Sequence, residues 1–581
     1  MGGFYNLIID EDLNSHNLKN KIFIHNHFLD IHKNFNNEFK ICYHPWSNPK
    51  LFEEDTLYLK NLKLRIVDAL SENLNNFHKK NYSKKYWEII IGYWSHSFLM
   101  MMLERWRILE NLPKDIKYNL NVKKLDINKF IPQSLDEFNR IYYLGEYSSY
   151  LFQKIIEFNF KDLIKVVGVD QDSKIDLVRE RFNLKKKNLR YYLSQIYSIF
   201  FKKKILGQKY AIIRSYLGFK DELKLNFLLK QFPIFVKDNY FLCNPNLDSR
   251  SKLKLNLNCK NLFEKFLTEN LKFFLPVSFF EGFNIEKKMI DEISLPKNPK
   301  VIFSSNILLK SFISRYCAEK IENGSQLVLS SHGGSYGHYK HHFSEEQEIL
   351  ICNKYLSWGW TSKKNTKVKK FGIIRDLPKI KDQKKKYFTI ILPANSPFEK
   401  TIETCIQASI QGEYIFNPSF KIINNLANEI KDEIILRFYP RNFGKNEKEI
   451  YKIYNPNIKI DEMKISSDEL LSNTKILFSP YLGTGFLETL ALNIPTVVFV
   501  SKRTDMIRDE AKPFYEFLKN AKIFFDDEEL LADHINNVWK NVEKWWTSNE
   551  VQSNRLKFCD NFAYNEINKI NNLKNLIIKD F

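Results

Sequence analysis

From Lys300 onward the chain alternates short apolar runs with longer amphipathic stretches, and most of the apolar runs end on polar residues or glycine. Residues 300–305 (KVIFSS), 326–331 (QLVLSS), 354–358 (KYLSW) and 370–374 (KFGII) form one series. Residues 387–392 (YFTIIL), 433–438 (EIILRF), 475–479 (KILFS), 495–500 (PTVVFV) and 522–525 (KIFF) form a second. Short apolar runs separated by helix-length segments read as buried parallel strands with helical crossovers. The chain is therefore expected to be α/β, with two doubly wound parallel-sheet domains. Residues 376–386 (DLPKIKDQKKK) are polar, charged and proline-containing, as an interdomain linker should be. This places an N-terminal domain at 1–375, a second domain at 387–545 and a C-terminal helical segment at 546–581 that packs back on the first. Residues 307–322 read as a helix stopped by Gly324. Another helix starts near Ser466, whose spacing to Glu469 is that of a capping box.

Earlier residues are less patterned. Residues 21–27 read as a short strand, and 58–110 as helical, with Tyr86, Trp87, Trp94 and Trp106 expected in the core. The most apolar run, Ile89–Leu103, contains His96, Ser95 and Ser97 and lies between Glu88 and Glu104. Crossing a bilayer takes about twenty apolar residues, so this run is expected to be a buried helix. Residues 120–265 are expected to be a helical insertion. Within it, 147–235 is strongly basic, with Lys185–Lys187, Lys202–Lys204 and interleaved tyrosines and phenylalanines.

The 581 residues carry 89 basic and 68 acidic side chains, a formal charge of +21. The excess accompanies abundant Lys, Asn, Ile and Phe, as A/T-biased coding produces, so nucleic acid is not the expected partner. An anionic small substrate or an anionic lipid surface fits the charge as well. Seven scattered cysteines without a CxxC pair give no disulfide framework and no zinc spacing. The first residues, MGGFYNLIIDED, lack the basic and apolar regions of a signal peptide, and Asn6 breaks the myristoylation pattern. The expected location is the cytoplasm, with peripheral contact at the inner face of the membrane.

Three motifs carry chemistry. His332-Gly333-Gly334-x-x-Gly337 directly follows the apolar run 326–331, at the strand end where open α/β sheets bind ligands. Its glycines allow close backbone approach and expose N–H groups, and a histidine there can act as a base or hold a phosphate. His338, His341 and His342 follow, but their spacing matches no standard metal site. Arg437-Phe438-Tyr439-Pro440-Arg441 sets two arginines at a strand end, suited to phosphate or carboxylate. Gly483-Thr484-Gly485-Phe486-Leu487-Glu488 opens a helix at another strand end, where free N–H groups favour a phosphate and Glu488 can reach a ribose hydroxyl. Near the end, Arg508-Asp509-x-Ala511-Lys512-Pro513 reads as a helix start, with Arg508 either at a donor or in a structural ion pair. Kinase, GxSxG, HExxH and DxD-like patterns are not found in convincing positions.

The stretch Phe486–Pro495 is similar to the donor-site helix of GT-B glycosyltransferases. More closely, the chain resembles a transferase family encoded in bacterial surface-polysaccharide clusters. Matching stretches are Tyr86-Trp87, Gly92-Tyr93-Trp94, Leu275-Pro276, Glu281-Gly282-Phe283, Pro299–Ser305, His332–Gly337, Phe343-x-Glu345, Tyr355–Trp360, Phe486–Thr489 and Arg508–Pro513. The chain departs from that family's pattern at Tyr93, Ser331 and Tyr439; if a histidine at the last position holds the donor phosphate, Arg437 or Arg441 replaces it here. The resemblance implies a GT-B-like fold, two domains facing a cleft. It implies transfer of a sugar, foremost a CMP-activated acidic one, from a nucleotide donor to a glycan or lipid-linked acceptor, without metal or cofactor. His332 would be the base, with Gly333, Gly334 and Gly337 as loop backbone and Glu345 and Arg508 as further candidates. Arg437, Tyr439, Arg441, Gly483, Thr484, Gly485 and Glu488 would bind the donor. Two alternatives remain open: CDP-polyol phosphotransfer, and a non-catalytic basic binding or scaffold protein.

Overall fold

Among the described residues of the computed structural model there are three parallel sheets rather than two. It describes residues 5–9, 21–24, 40–42, 44–170, 172–183, 189–236, 240–393, 396–407, 410, 412–439, 443, 447–501 and 503–579. The first sheet holds β1 (Tyr5–Ile8), β2 (Lys21–Phe23), β3 (Lys40–Ile41), β4 (Tyr118–Lys123) and β5 (Ile164–Val169), in the order β3-β2-β1-β4-β5. The second holds β6 (Tyr210–Ile212), β7 (Val301–Ser304), β8 (Gln326–Ser330), β9 (Lys354–Ser357) and β10 (Val368–Lys370), in the order β10-β9-β8-β7-β6. The third holds β11 (Tyr387–Leu392), β12 (Ile434–Phe438), β13 (Lys459–Asp461), β14 (Thr474–Ser479), β15 (Thr496–Phe499) and β16 (Phe524–Phe525), in the order β13-β12-β11-β14-β15-β16.

The α/β class with parallel sheets agrees with the alternation read from the sequence. The helical insertion does not: residues 120–265 contribute most of β4 and all of β5 and β6, alongside helices. The third sheet has the doubly wound strand order, which reverses between β11 and β14 and leaves a crevice at their carboxyl ends.

Two long helices form the heart of the N-terminal half. α1 (Pro49–His78) starts where Asn48 Oδ1 accepts the N–H groups of Lys50 and Leu51, and ends at Lys79 in the left-handed conformation. α2 (Lys84–Glu110) is capped by Ser83 and is buried on every side from Tyr86 to Trp106. A helix apolar all round belongs in a core. Its charged side chains are paired within that core: Glu88 with Lys63 and Gln347, and Glu104 with Arg105, His44 and the Glu399 N–H. Among the described residues no helix is long and apolar enough to cross a membrane.

The second sheet is unusual in running strictly in sequence order. Right-handed crossovers between neighbouring parallel strands then fall on one face. The crossover helices Ser311–Glu322 and Phe343–Ile351 share a core with Ile302, Leu327, Leu329 and Tyr355 on that face. The alternate residues Ile212, Val301, Phe303, Val328 and Leu356 face the other way, and the last helix, Lys569–Lys579, covers them with Ile570, Leu573 and Ile577. The chain returns from the third sheet along Asp560–Tyr564, pressed against Gly359 and Gly372. Both glycines have φ near +130°, and a Cβ at either would lie under 3 Å from a backbone oxygen of this segment. Tyr564 N–H donates to Trp358 O (2.9 Å), and Ile373 N–H donates to Tyr564 O (2.8 Å).

Candidate functional site

His332 stands two residues beyond β8, and its side chain is 24% exposed. Hydroxyls lock the adjacent strand ends together. Ser305, just after β7, bonds to the Ser330 hydroxyl (2.6 Å) and donates to Ser215 O (2.6 Å). Tyr336 OH lies 3.2 Å from His332 Nδ1, and Glu348 Oε1 is 3.8 Å from the same nitrogen. Burial pushes the His332 pKa down to about 4; a hydrogen bond to the Ser305 backbone opposes this, and the nearby Arg375 and Arg214 guanidinium groups add to it. The ring is therefore neutral at pH 7 and retains a basic lone pair.

The loop that follows is sewn to the third-sheet half. Gly334 N–H donates to Thr484 Oγ1 (3.0 Å), and Tyr339 OH donates to Leu482 O (2.7 Å). A Cβ on Gly334 would sit 2.7 Å from Thr484 Cα and 3.0 Å from Gly483 O, so glycine is required by the close approach of the two loops. Gly337, at φ +86°, donates its N–H to Glu345 (2.5 Å). Arg508 reaches back across the seam, bonding Glu345 Oε1 (2.9 Å) and Tyr339 O (2.9 Å). Glu345 and Arg508 thus clamp the loop, and the Gly334 N–H is already engaged by Thr484 rather than turned toward a ligand.

That clamp is testable. The Glu345 side chain is only 4% exposed, and removing one partner of such a pair costs about 3–5 kcal/mol. Arg508→Ala is expected to lose about that much in urea denaturation, and adding Glu345→Gln to cost much less than its effect alone. Additive losses would mean the two side chains do not act as a pair.

The neighbouring histidines go to separate partners: His338 Nδ1 to Tyr515 OH (2.7 Å), His341 Nε2 to Glu53 (2.9 Å), and His342 Nε2 to Ser335 Oγ (2.9 Å). Among the described residues no group of three or more His, Cys, Asp or Glu is arranged to hold a metal ion.

Across the seam, Gly483, Thr484 and Gly485 open the helix Thr484–Ala491 at the carboxyl end of β14, one wall of the third-sheet crevice. Its first N–H groups have no partners within the helix, and Gly483 provides no side-chain cap. Gly485 packs closely on Ile391 of β11. Glu488 pairs with Arg375 (3.1 Å), which follows β10 at the edge of the linker; burial raises the Glu488 pKa and Arg375 opposes it.

Arg437 does not join this site. It is 7% exposed within β12, and its guanidinium is held by Asp461, Ser467 and the Ile465 carbonyl. Asp461 is its register partner on the neighbouring strand β13, on the same face of the sheet, so the guanidinium has no free fork for a donor. Tyr439 is 57% exposed and stacks near Phe443. Arg441 lies outside the described residues. Sequence reading missed Arg375, Arg214 and Tyr216. The last two follow Tyr210–Ile213, a short apolar run ending in polar residues like those before Ser305 and His332, and that signal was available.

No curated protein matches the chain. Among solved structures, that of TarM is 12% identical, with a TM-score of 0.32 over 80% of this chain and 99% of its own. The wall teichoic acid polymerase TagF is 12% identical (TM-score 0.29; 51% and 83% covered). WaaG, a glycosyltransferase involved in lipopolysaccharide biosynthesis, is 9% identical (TM-score 0.25; 54% and 83% covered). The model of the LIC12162 family transferases matches residues 5–577, and the chain belongs to that family.

Proposed function

We propose that this transferase moves a glycosyl group from a nucleotide-activated donor, foremost a CMP-activated acidic sugar, to a glycan or lipid-linked acceptor of a bacterial surface polysaccharide. The observation that carries the reading is the seam itself. A neutral, half-buried histidine at one strand end is joined through Gly334 to the opening of the helix Thr484–Ala491 at the next sheet's crevice. In this reading the helix opening and the Gly483–Gly485 turn receive the donor phosphate, where unpaired N–H groups stabilise charge on the leaving nucleotide. Glu488 meets the sugar or ribose, and His332 takes the proton of the acceptor hydroxyl. The reaction so drawn needs no metal and no cofactor.

A lipid-linked acceptor is approached at a membrane face. The helix Leu189–Phe200 exposes Leu193, Ile196, Ile199 and Phe200, and Lys202–Lys204 follow directly. Exposed apolar side chains beside lysines suit the anionic interface. Lys185–Lys187 lie outside the described residues.

A thermal-shift screen of CMP, CDP, UDP, GDP and ADP tests the donor site, because a ligand at a hundred times its Kd stabilises the folded state by about 2.7 kcal/mol. CMP is expected to give the largest shift. No shift with any nucleotide would favour a non-catalytic binding protein, and a phosphodiester product with CDP donors would replace sugar transfer by polyol-phosphate transfer.

A further inference from the structure

The end of β6 holds an arginine in a conformation that needs a reason. Arg214 and Tyr216 have φ of +49° and +61°, in the left-handed region that non-glycine side chains avoid. The turn is fixed from several sides. Ser305 N–H donates to Arg214 O (3.1 Å), Ser305 Oγ donates to Ser215 O (2.6 Å), and Ser215 Oγ accepts the Leu217 N–H (3.2 Å) and bonds Glu222. Tyr216 OH accepts from the buried Asn306 amide (3.1 Å), and its ring lies 5.4 Å from the His332 ring.

Other arginines of this fold hold carboxylates: Arg179 with Glu137, Arg250 with Glu281, Arg315 with Glu286 and Arg508 with Glu345. Arg214 holds none. Among the described residues its Nε is buried without a hydrogen-bond partner, and it enters no ion pair. Arg375 is the second cation close to His332 and shares its charge with Glu488. A half-buried guanidinium left without an anion among the described residues, with a second one acting on the same histidine and an exposed tyrosine two residues along the turn, is arranged for a ligand that brings the negative charge.

We propose that Arg214, with Arg375 and Tyr216, forms an oxyanion subsite that takes a phosphate group on the second-sheet side of the seam. The planar fork of Arg214 would grip two phosphate oxygens, Arg375 would meet a third, and Tyr216 would close the side toward His332. The subsite stands on its own geometry; only the identity of its phosphate rests on the proposed transfer reaction. That phosphate belongs either to the nucleotide donor or to the diphosphate of a lipid-linked acceptor.

Calorimetric titration with inorganic pyrophosphate, at fixed ionic strength, tests the subsite directly. The full chain is expected to bind it saturably, Arg214→Met to bind at least tenfold more weakly, and Arg214→Lys to fall between. Arg214→Gly separates binding from folding. Glycine accepts the left-handed backbone, so this variant is expected to melt at the same temperature as the parent or higher, yet to lose pyrophosphate binding. Pyrophosphate affinity unchanged in Arg214→Met and Arg214→Gly, or no binding by the parent chain, would overturn the proposal. Two further titrations assign the source. If the phosphate is the donor's, Arg214→Met weakens CMP and leaves cytidine unchanged. If it is the acceptor's, CMP is unchanged and the KM for a polyprenyl-diphosphate acceptor rises. Pyrophosphate binding lost with Arg214 while no nucleotide binds would uphold the subsite and sink the donor reading.

Discussion

Replacing His332 with alanine is expected to lower kcat by about 10²–10⁴-fold, the usual contribution of a positioned base. The expectation follows from where the ring sits rather than from its being a histidine. His338, buried against Tyr515, has no route to a substrate, whereas His332 lies at a strand end with part of its ring open and with Tyr336, Glu348, Tyr216 and two arginines around it. Its pH signature differs from that of an ordinary histidine. With the folded pKa lowered to about 4, the acid limb of kcat/KM should fall as pH drops through about 4, not through 6.5. The same shift enters stability with a definite sign. Between 6.5 and 4 the unfolded ring holds a proton that the folded ring does not, so this group's contribution is complete above 6.5 and is lost as pH falls through that window. An unchanged kcat in His332→Ala, measured with a verified donor and acceptor, would remove His332 from the reaction. A binding defect alone would appear as a raised KM at constant kcat.

Substituting Leu573 in the last helix is expected to cost more stability than most changes elsewhere. Leu573 is fully buried in the cluster that covers the second sheet's outer face, with Ile212, Val301, Phe303 and Val328 beneath it. Leucine-to-alanine changes at such positions cost about 2–5 kcal/mol, from lost transfer free energy and the remaining cavity. Leu573→Asp should cost more, since a carboxylate there has no partner in an apolar cluster. Chemical denaturation followed by tryptophan fluorescence would measure both. Activity measured near the unfolding midpoint should fall in step with the folded fraction. A Leu573→Asp protein as stable as the parent would mean that the last helix does not cover the sheet in solution.

Much of the second half was legible from the apolar runs. The expected strands at 326–331, 387–392 and 475–479 agree with β8, β11 and β14, and Ser466 does cap its helix, accepting the Glu469 N–H at 3.2 Å. The runs were readable because strands in the middle of a parallel sheet are buried on both faces and stay apolar throughout. β4, β5, β6 and β13 escaped notice for other reasons. β6 and β13 are three-residue edge strands, and β13 is Lys459-Ile460-Asp461, with a single apolar residue. β4 alternates asparagine with apolar residues, and β5 lies inside a lysine-rich stretch whose charge masked it. The site was legible as separate motifs only. His332-Gly333-Gly334 and Gly483-Thr484-Gly485 each carried the glycine signature of a strand-end loop, but their hydrogen bond joins residues 150 positions apart. Arg437 failed because its residue type and position suited an anion, while the carboxylate that occupies it, Asp461, comes from the neighbouring edge strand.

By itself, the sequence determined the parallel α/β class, the buried central helix and the loops at which chemistry can occur. Each of these is a local property: period, burial on both faces, or a glycine where a side chain will not fit. Only the tertiary structure decided which cations are free. Arg437 and Arg508 are closed by Asp461 and Glu345, Arg375 is half-committed to Glu488, and Arg214 is held open on a strained turn. A guanidinium's availability depends on which carboxylate the fold brings within a few ångströms, and spacing along the chain does not encode that distance.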